Sequence, residues 1–203
     1  MRPALSENPF IKAEFLRSCA RHEQLPAEPG REIAFAGRSN AGKSSALNRL
    51  CQRRKLARTS KTPGRTQLLN LFSVPGGHLV DLPGYGYANV PEKVRREWGA
   101  LVGGYIAERD NLVGIALIMD IRHPLTPHDE QMLLWAEAAG RRVHVLLTKA
   151  DKFSRGRAAN VRQQVQKALG ERATCQTFSA ADGSGCEQAQ TKLGAWLKGE
   201  PGL

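Results

Sequence analysis

Residues 37–44 of this chain match the pattern G-x-x-x-x-G-K-[ST], and the residues on either side give the pattern a structural context. Residues 32–36 are mostly apolar and predict a buried strand, while residues 45–50 predict a helix. The glycines let backbone N–H groups turn inward around phosphate oxygens, and the helix adds the positive end of its dipole. A strand, a glycine-rich loop and a helix in this order predict a phosphate-binding loop.

Two residues at the end of this loop have tasks that follow from the pattern. Lys43 is expected to reach the β- and γ-phosphates of a nucleotide, and Ser44 is expected to place its hydroxyl on Mg²⁺. The candidate phosphate contacts are Gly37, Arg38, Ser39, Asn40, Ala41, Gly42, Lys43 and Ser44. A serine-hydrolase elbow of the G-x-S-x-G type is a poor alternative, because Ala41 stands where that pattern needs its second glycine.

The rest of the chain alternates predicted strands and helices. Residues 67–74 and 78–82 predict two strands joined by a hairpin turn. Further strands are predicted at residues 112–120, 142–148 and 174–178, and helices at residues 92–109, from 127 onward, at 155–169 and at 182–198. This order predicts an α/β fold with three layers: a mostly parallel six-stranded sheet, one antiparallel edge strand, and helices on both faces. Ligands bind such sheets at the carboxyl ends of the strands.

A second polar segment follows the hairpin, at one of these carboxyl ends. Residues 81–84 form a D-x-x-G, in which Asp81 is a candidate carboxylate on the Mg²⁺ side of a nucleotide. Gly84 is a candidate flexible residue that senses a γ-phosphate. The segment is informative because it follows a phosphate-binding loop at a suitable distance.

A third polar segment, residues 148–151, follows another apolar strand. The carboxylate of Asp151 matches the N1–H and N2–H₂ donors of guanine, which adenine lacks, and the stem of Lys149 is suited to covering one face of the base. The backbone of Ser179 and Ala180, after the last strand, is a candidate donor to the guanine oxygen. An ordinary strand-end turn is the alternative for this segment.

Charge is the most informative part of the composition. Thirty Lys and Arg against nineteen Asp and Glu give a net charge of +11, and no acidic residue lies between Ile33 and Val80. Residues 49–65, which we call the basic segment, hold seven of the cations: Arg49, Arg53, Arg54, Lys55, Arg58, Lys61 and Arg65. The basic segment predicts phosphate contacts with structured RNA, and a merely solvated face is the alternative.

Composition also bounds location and organisation. No apolar run approaches the ~20 residues that span a bilayer, and four cysteines without metal-ligand spacing predict free thiols in a reducing compartment. We therefore expect a cytoplasmic protein without a membrane contact. Residues 1–30 hold four prolines and predict a loosely docked extension with a short helix at about residues 10–20.

Taken together, these motifs resemble the EngB family of ribosome-biogenesis GTPases, within the TrmE–Era class. The segments that carry the resemblance lie at residues 37–45, 59–67, 81–88, 119–125 and 148–151. Thr-Pro-Gly-Arg-Thr at residues 62–66 and Asp-Leu-Pro-Gly-Tyr-Gly-Tyr at residues 81–87 make it specific, since they are not general GTPase motifs. The resemblance implies a G domain over residues 31–199.

The resemblance also implies a site. Lys43, Thr66 and Gly84 would act in catalysis, and Ser44, Thr66 and Asp81 would hold Mg²⁺. Beyond the phosphate-binding loop, the implied contacts to GTP or GDP are Gly64, Arg65, Thr66, Gln67, Leu68, Asp81, Leu82, Pro83, Gly84, Thr148, Lys149, Ala150, Asp151, Phe178, Ser179 and Ala180. The implied function is a GTP-hydrolysing switch that acts in assembly of the large (50S) ribosomal subunit and is needed for cell division and septation.

Two departures from a generic GTPase matter. Thr148 stands where many GTPases have Asn, which predicts a weaker contact to the base and the phosphate-binding loop. Tyr85 stands where Ras-like proteins have a water-positioning Gln, which predicts slow turnover. In related proteins an Asn at the position of Asn40 helps to coordinate K⁺, so K⁺ stimulation is an expectation. A kinase of small molecules and an RNA-binding protein without turnover are the alternatives, and a monomer is the default.

Overall fold

The computed structural model describes residues 8–27, 29–57, 68–86 and 92–200. The strands are β1 (Glu14–Cys19), β2 (Arg31–Gly37), β3 (Leu69–Val74), β4 (Gly77–Asp81), β5 (Leu112–Asp120), β6 (Arg142–Thr148) and β7 (Thr174–Thr177). The helices are α1 (Lys43–Leu50), α2 (Glu92–Glu108), α3 (Pro127–Ala138), α4 (Arg155–Leu169) and α5 (Cys186–Lys198). Three short 3-10 turns, Pro9–Lys12, His22–Gln24 and Ala150–Lys152, complete the described elements.

The strands form one sheet in the order β1-β3-β4-β2-β5-β6-β7. β4, β2, β5, β6 and β7 pair in parallel, while β3 is antiparallel to both β4 and β1. The predicted α/β class is therefore confirmed, with a mostly parallel sheet. The described residues give seven strands rather than six, and β3 is not at the edge because β1 lies outside it.

The extra strand comes from a segment that the sequence predicts as a helix at about residues 10–20. That prediction is wrong: the segment forms a 3-10 turn, Pro9–Lys12, and then β1. Phe10 is fully buried and anchors the turn, whereas five of the six residues of β1 are exposed. Backbone pairing with β3 holds β1 in place, so the strand has no buried face that a periodicity argument would detect.

Most other predicted elements are confirmed, and β5, β6 and α4 have the predicted bounds. The last helix begins at Cys186 rather than at residue 182, because the preceding residues make a turn of their own. Asp182 Oδ1 accepts from the backbone N–H of Ser184 at 2.8 Å and from its hydroxyl at 2.7 Å. Gly185 then adopts a φ of 75°, which favours glycine and starts the helix.

Helices cover both faces of the sheet. Apolar residues of α2, α3 and α4 pack with one face, and those of α1 and α5 pack with the other. Along β2, Ala34 faces the first group while Ile33 and Phe35 face the second. β5 alternates in the same way, so both central strands are buried on both sides, as is typical of parallel sheets.

Glu32, at the amino end of β2, is a charged residue inside this core. The Glu32 carboxylate is fully buried and accepts from the Tyr105 hydroxyl at 2.8 Å and from Arg109 Nε at 3.0 Å. Burial, and then the adjacent carboxylate, raise the pKa of Tyr105 well above its usual value. Because these bonds join β2 to the end of α2 on the side opposite the strand carboxyl ends, we assign Glu32 a structural role.

Substitution of Gly114 tests how tightly α5 packs on the sheet. A Cβ at Gly114 would lie 2.5 Å from two ring carbons of Trp196. We expect Gly114→Ala to lower the free energy of unfolding by about 1–3 kcal/mol, since the core has no room for the added atom. Urea denaturation measures the change.

Gly103→Ala is the matched control, because the space around Gly103 in α2 is open. Here we expect unfolding free energy to rise by up to about 1 kcal/mol, from helix propensity alone. Equal effects of the two substitutions would contradict the packing of Trp196 on Gly114.

Candidate nucleotide-binding site

The phosphate-binding loop connects β2 to α1, and two of its residues have a left-handed backbone conformation. Asn40 has a φ of 62° and Gly42 a φ of 100°, both in the left-handed region. Gly37 lies against β5 so closely that a Cβ there would be 2.7 Å from the carbonyl oxygen of Ile118. These conformations aim the loop at the carboxyl end of the sheet and place Lys43 and Ser44 in the first turn of α1.

The end of β6 holds the loop in this shape. The Thr148 hydroxyl donates to the carbonyl oxygen of Ala41, and it also lies 3.1 Å from the carbonyl oxygen of Met119. Thr148 thus provides a contact to the phosphate-binding loop although it lacks the amide of the more common Asn. Gly42 packs against the same side chain, since a Cβ there would lie 3.4 Å from the Thr148 Oγ1.

Lys149 makes a second connection to the loop. Its backbone has a φ of 60°, and its Nζ donates to the carbonyl oxygen of Asn40 at 2.6 Å and to Asp120 Oδ2 at 2.9 Å. Asp120 also accepts from Arg122, through Nε at 2.9 Å and the backbone N–H at 3.0 Å. The stem of Lys149 is therefore fixed at both the loop and the end of β5.

Asp120 is a residue of the site whose task sequence reasoning missed. Burial alone would raise the pKa of its carboxyl, but the bonds from Arg122 and Lys149 hold that pKa well below the usual range. Asp120 therefore stays charged and acts as a positioning residue for Lys149. Its place in the sequence offered a signal, because Asp120 ends a parallel strand and pairs with Thr148 on the next one.

Asp151 is oriented by the loop that follows β7. Ser179 Oγ donates to Asp151 Oδ1 at 2.8 Å and lies within 3.3 Å of the backbone N–H groups of Ala181 and Asp182. The bond from Ser179, with a weaker contribution from Lys152, lowers the pKa of Asp151. The carboxylate is thus ionised, and the hydrogen bond from Ser179 fixes the position of one of its oxygens.

On the other side of the loop, Lys43 and Asp81 form a direct ion pair. Both side chains are nearly buried, with exposures of 11% and 9%. The pair joins the residue predicted to bind phosphate to the residue predicted to lie beside Mg²⁺. Pairing leaves neither charge uncompensated in this part of the interior.

The residues after Asp81 are connected to two helices. The Tyr85 hydroxyl donates to Asp129 Oδ1 on α3 at 3.0 Å, and its ring lies 5.6 Å from that of Trp98 on α2. Trp98 Nε1 donates to the carbonyl oxygen of Pro83 at 3.2 Å. Burial raises the pKa of Tyr85 well above its ordinary value, so this hydroxyl is a neutral donor engaged with α3.

The predicted site residues divide into two groups. The structure brings together the phosphate-binding loop, Asp81 to Gly84, Thr148 to Asp151, and Phe178 to Ala180 at the carboxyl ends of β2, β4, β6 and β7. Leu68 is half-buried directly before β3. Four further predicted contacts lie outside the described residues: Gly64, Arg65, Thr66 and Gln67.

A groove of about 990 Å³ opens beside Asp151. One wall holds Thr148, Lys149, Asp151 and neighbouring residues of the loops after β6 and β7. The groove is also lined by residues of α1, the turn that follows it and the start of α5. We call this cavity the base groove, because it contains the carboxylate predicted to read a base.

The described residues contain neither a cluster suited to a metal ion nor a helix suited to a membrane. Within residues 8–27, 29–57, 68–86 and 92–200, no group of three or more His, Cys, Asp or Glu side chains is placed to hold a metal ion. No helix in the same part of the chain combines the length and apolar character needed to cross a bilayer.

Comparison with known proteins identifies close relatives. A family model described as a 50S ribosome-binding GTPase matches residues 32–149. A protein of Aromatoleum aromaticum named probable GTP-binding protein EngB is 53% identical over 193 residues, which cover 93% of this chain and 89% of that protein. A protein of Tolumonas auensis with the same name is 51% identical over 195 residues, covering 94% and 92%.

Solved structures agree on the fold. The crystal structure of a probable GTP-binding protein EngB matches with a TM-score of 0.68 and 21% identity, covering 83% of this chain and all of that one. Era in complex with MgGDPNP and nucleotides 1506–1542 of 16S ribosomal RNA matches with a TM-score of 0.64 and 19% identity, covering 84% and 56%.

Substitution of Asp151 tests the reading of the base. Asp151→Asn replaces a carboxylate with a group that accepts at one atom and donates at the other, so it no longer matches the two donors of guanine. We expect GTP binding to weaken by about 10- to 100-fold and xanthosine triphosphate binding to improve. Equilibrium titration with both nucleotides measures the change.

The unaltered chain is the reference, and it should reject ATP. Wild-type GTP affinity in Asp151→Asn, or equal affinity of the parent for ATP and GTP, would show that Asp151 does not read the base.

Proposed function

This chain belongs to the EngB family of GTP-binding proteins, and on that premise we propose that it is a GTP-driven switch in assembly of the large (50S) ribosomal subunit, needed for normal cell division and septation. Membership of a P-loop GTPase family carries GTP binding and hydrolysis. The ribosomal and cellular roles are the proposal. It treats the protein as a cytoplasmic monomer with an extension at residues 1–30 and a G domain at residues 31–199.

The observation that carries the switch is the ion pair between Lys43 and Asp81. A bound nucleotide offers each partner a stronger competitor, because phosphate oxygens attract Lys43 and a phosphate-bound cation attracts Asp81. The loop after Asp81 is bonded to α2 through Trp98 and to α3 through Tyr85. A movement of Asp81 would thus alter the positions of α2 and α3, which the loop contacts.

The donor set suits Mg²⁺. Mg²⁺ prefers hard oxygen ligands and few protein side chains, and Ser44 and Asp81 offer a hydroxyl and a carboxylate. Thr66, outside the described residues, is the third proposed ligand. When bound, the ion would neutralise charge on the β- and γ-phosphates.

Hydrolysis in this site would depend on positioning rather than on a catalytic base. Lys43, Thr66 and the backbone of Gly84 are the proposed catalytic groups, and they act on the phosphate charge or on the attacking water. Tyr85 occupies the position of a water-orienting side chain, yet its hydroxyl bonds to Asp129. Slow intrinsic turnover is the expected consequence, together with a need for a partner or an ion.

We expect K⁺ to accelerate GTP hydrolysis through Asn40. A cation held by this exposed side chain would offset the charge that grows between the β- and γ-phosphates. Turnover in KCl should exceed turnover in NaCl at equal ionic strength by about tenfold or more, because a well-placed charge is worth more than about 1.4 kcal/mol in the transition state. Phosphate release measures it.

Asn40→Gly is the sharpest variant for this test, since glycine tolerates the φ of 62° at this position whereas alanine does not. The variant should lose the K⁺ response and keep GTP affinity. A variant that retains the response, or a parent with equal turnover in both salts, would show that Asn40 only shapes the loop.

Ribosome binding is proposed to use the basic segment. Arg53, Arg54 and Lys55 are exposed in the structure, and the segment contains no acid. If its cations contact RNA phosphates, log K should fall linearly with log[salt], by about 0.7–0.9 per contact. Thr66 follows the segment, so closure of Thr66 on Mg²⁺ and the γ-phosphate would order it.

Co-sedimentation with 50S particles tests this proposal. We expect tighter binding with a non-hydrolysable GTP analogue than with GDP or without nucleotide. The triple variant Lys55→Gln, Arg58→Gln and Lys61→Gln should bind 50S particles at least tenfold more weakly, with a flatter salt slope and with GTP affinity little changed.

Lys167→Gln, on the exposed side of α4, is the control for loss of charge alone. Normal 50S binding by the triple variant would make the basic segment a solvated face, and the ribosome contact would then lie elsewhere.

A further inference from the structure

Part of the basic segment lines the base groove. One wall of this groove is formed by α1 and the turn after it, while Lys149 and Asp151 also line the groove. The lining residues of this wall are Ser45, Asn48, Arg49, Gln52, Arg53 and Arg54. Three of the seven cations assigned to RNA from the sequence thus border the cavity in which a base is predicted to lie.

The turn that carries Arg53 and Arg54 has a fixed conformation. Gln52 has a φ of 52°, and the chain then folds back so that the Arg53 N–H donates to the carbonyl oxygen of Asn48 at 2.9 Å. The Asn48 side chain donates to the carbonyl oxygen of Ala57 at 3.0 Å and accepts from its N–H at 2.7 Å. Ala57 is buried, so both ends of the turn are anchored.

Arg49 connects this wall to the loop that orients Asp151. Its guanidinium lies directly against Gly183 in that loop. Gly183 N–H donates to the carbonyl oxygen of Ser179 at 3.0 Å, and Ser179 Oγ bonds to Asp151. The two walls of the groove are therefore in contact, and their relative position is set by packed groups.

We propose that Arg53 and Arg54 belong to the nucleotide site and contact the guanosine part of a bound guanine nucleotide. Lys149 and Asp151, which line the same groove, are predicted to cover one face and one edge of the base. A planar guanidinium packs well on the exposed face of a purine and donates to sugar oxygens. Guanine-nucleotide binding by the family is the premise here, and the ribosomal proposal is not needed.

The basic segment would then have two tasks, nucleotide binding and RNA binding, carried by different residues. Arg53 and Arg54 face the groove, whereas Lys55 does not line it. A substitution of all three would change nucleotide binding and RNA binding together, which is why the ribosome experiment above leaves Arg53 and Arg54 intact.

Nucleotide titrations with Arg53→Gln, Arg54→Gln and the double variant test the assignment. The dissociation constant for GDP is measured with a fluorescent GDP, and the inhibition constant for guanosine is measured by competition. We expect both constants to rise by about 5- to 30-fold in the double variant, the size expected for two exposed guanidinium–base contacts.

Guanosine is the decisive probe because it carries no phosphate. If the arginines act only through long-range attraction, the constant for GDP will rise while that for guanosine stays within twofold, and the proposal is overturned. It is also overturned if neither constant changes. Lys167→Gln removes one charge, as each single variant does, at an exposed position that does not line the groove, and it should alter neither constant.

The test is independent of the ribosomal role. Urea denaturation of the double variant checks that it remains folded, which exposed Arg→Gln changes should permit.

Discussion

Hydrogen bonds from the end of β6 to the phosphate-binding loop are the interaction on which the rest of the site depends. Thr148 bonds to the carbonyl oxygen of Ala41, and Lys149 bonds to that of Asn40. Two carbonyl groups of the loop therefore find their partners at the end of a neighbouring strand, which helps to set the shape of the loop. Asp120 extends the arrangement, because it fixes Lys149 from β5. The groups proposed to recognise base and phosphate thus form one connected unit.

A second unit begins at Asp81 and differs in kind. Its charge is paired with Lys43, while the residues after it are bonded to α2 and α3. Lys43 belongs to both units, because it lies in the loop that β6 supports and also pairs with Asp81. The first unit is held by several hydrogen bonds, whereas in the second Asp81 is paired with Lys43, a pair for which a nucleotide would compete under the proposed function. That contrast is what a switch requires: a rigid reader of the nucleotide beside an element with two alternative partners.

Much of this was predictable from sequence because the signals are local. The phosphate-binding loop, the D-x-x-G and the strand that ends at Thr148 each follow an apolar run, and parallel strands place their carboxyl ends together. β1 was not predictable, since an exposed edge strand is held by backbone pairing and lacks a hydrophobic period. The roles of Asp120 and Arg49 were also missed, because their partners, Lys149 and Gly183, lie far away in the sequence. From the sequence, Arg53 and Arg54 were assigned to RNA binding on charge density alone. Charge density does not show that both side chains line the groove beside Asp151.

The edge strand β1 determines which strand is exposed at this edge of the sheet. β1 carries Glu14 and Arg17, and charged residues on an outer strand discourage pairing with other molecules. β3, which it covers, is Leu-Asn-Leu-Phe-Ser-Val and carries no charge. A fragment that begins at residue 31 would therefore turn β3 into an uncharged, partly apolar edge with unpaired backbone groups. Such an edge favours strand-to-strand association, so β1 protects the sheet from association at this edge as well as extending it.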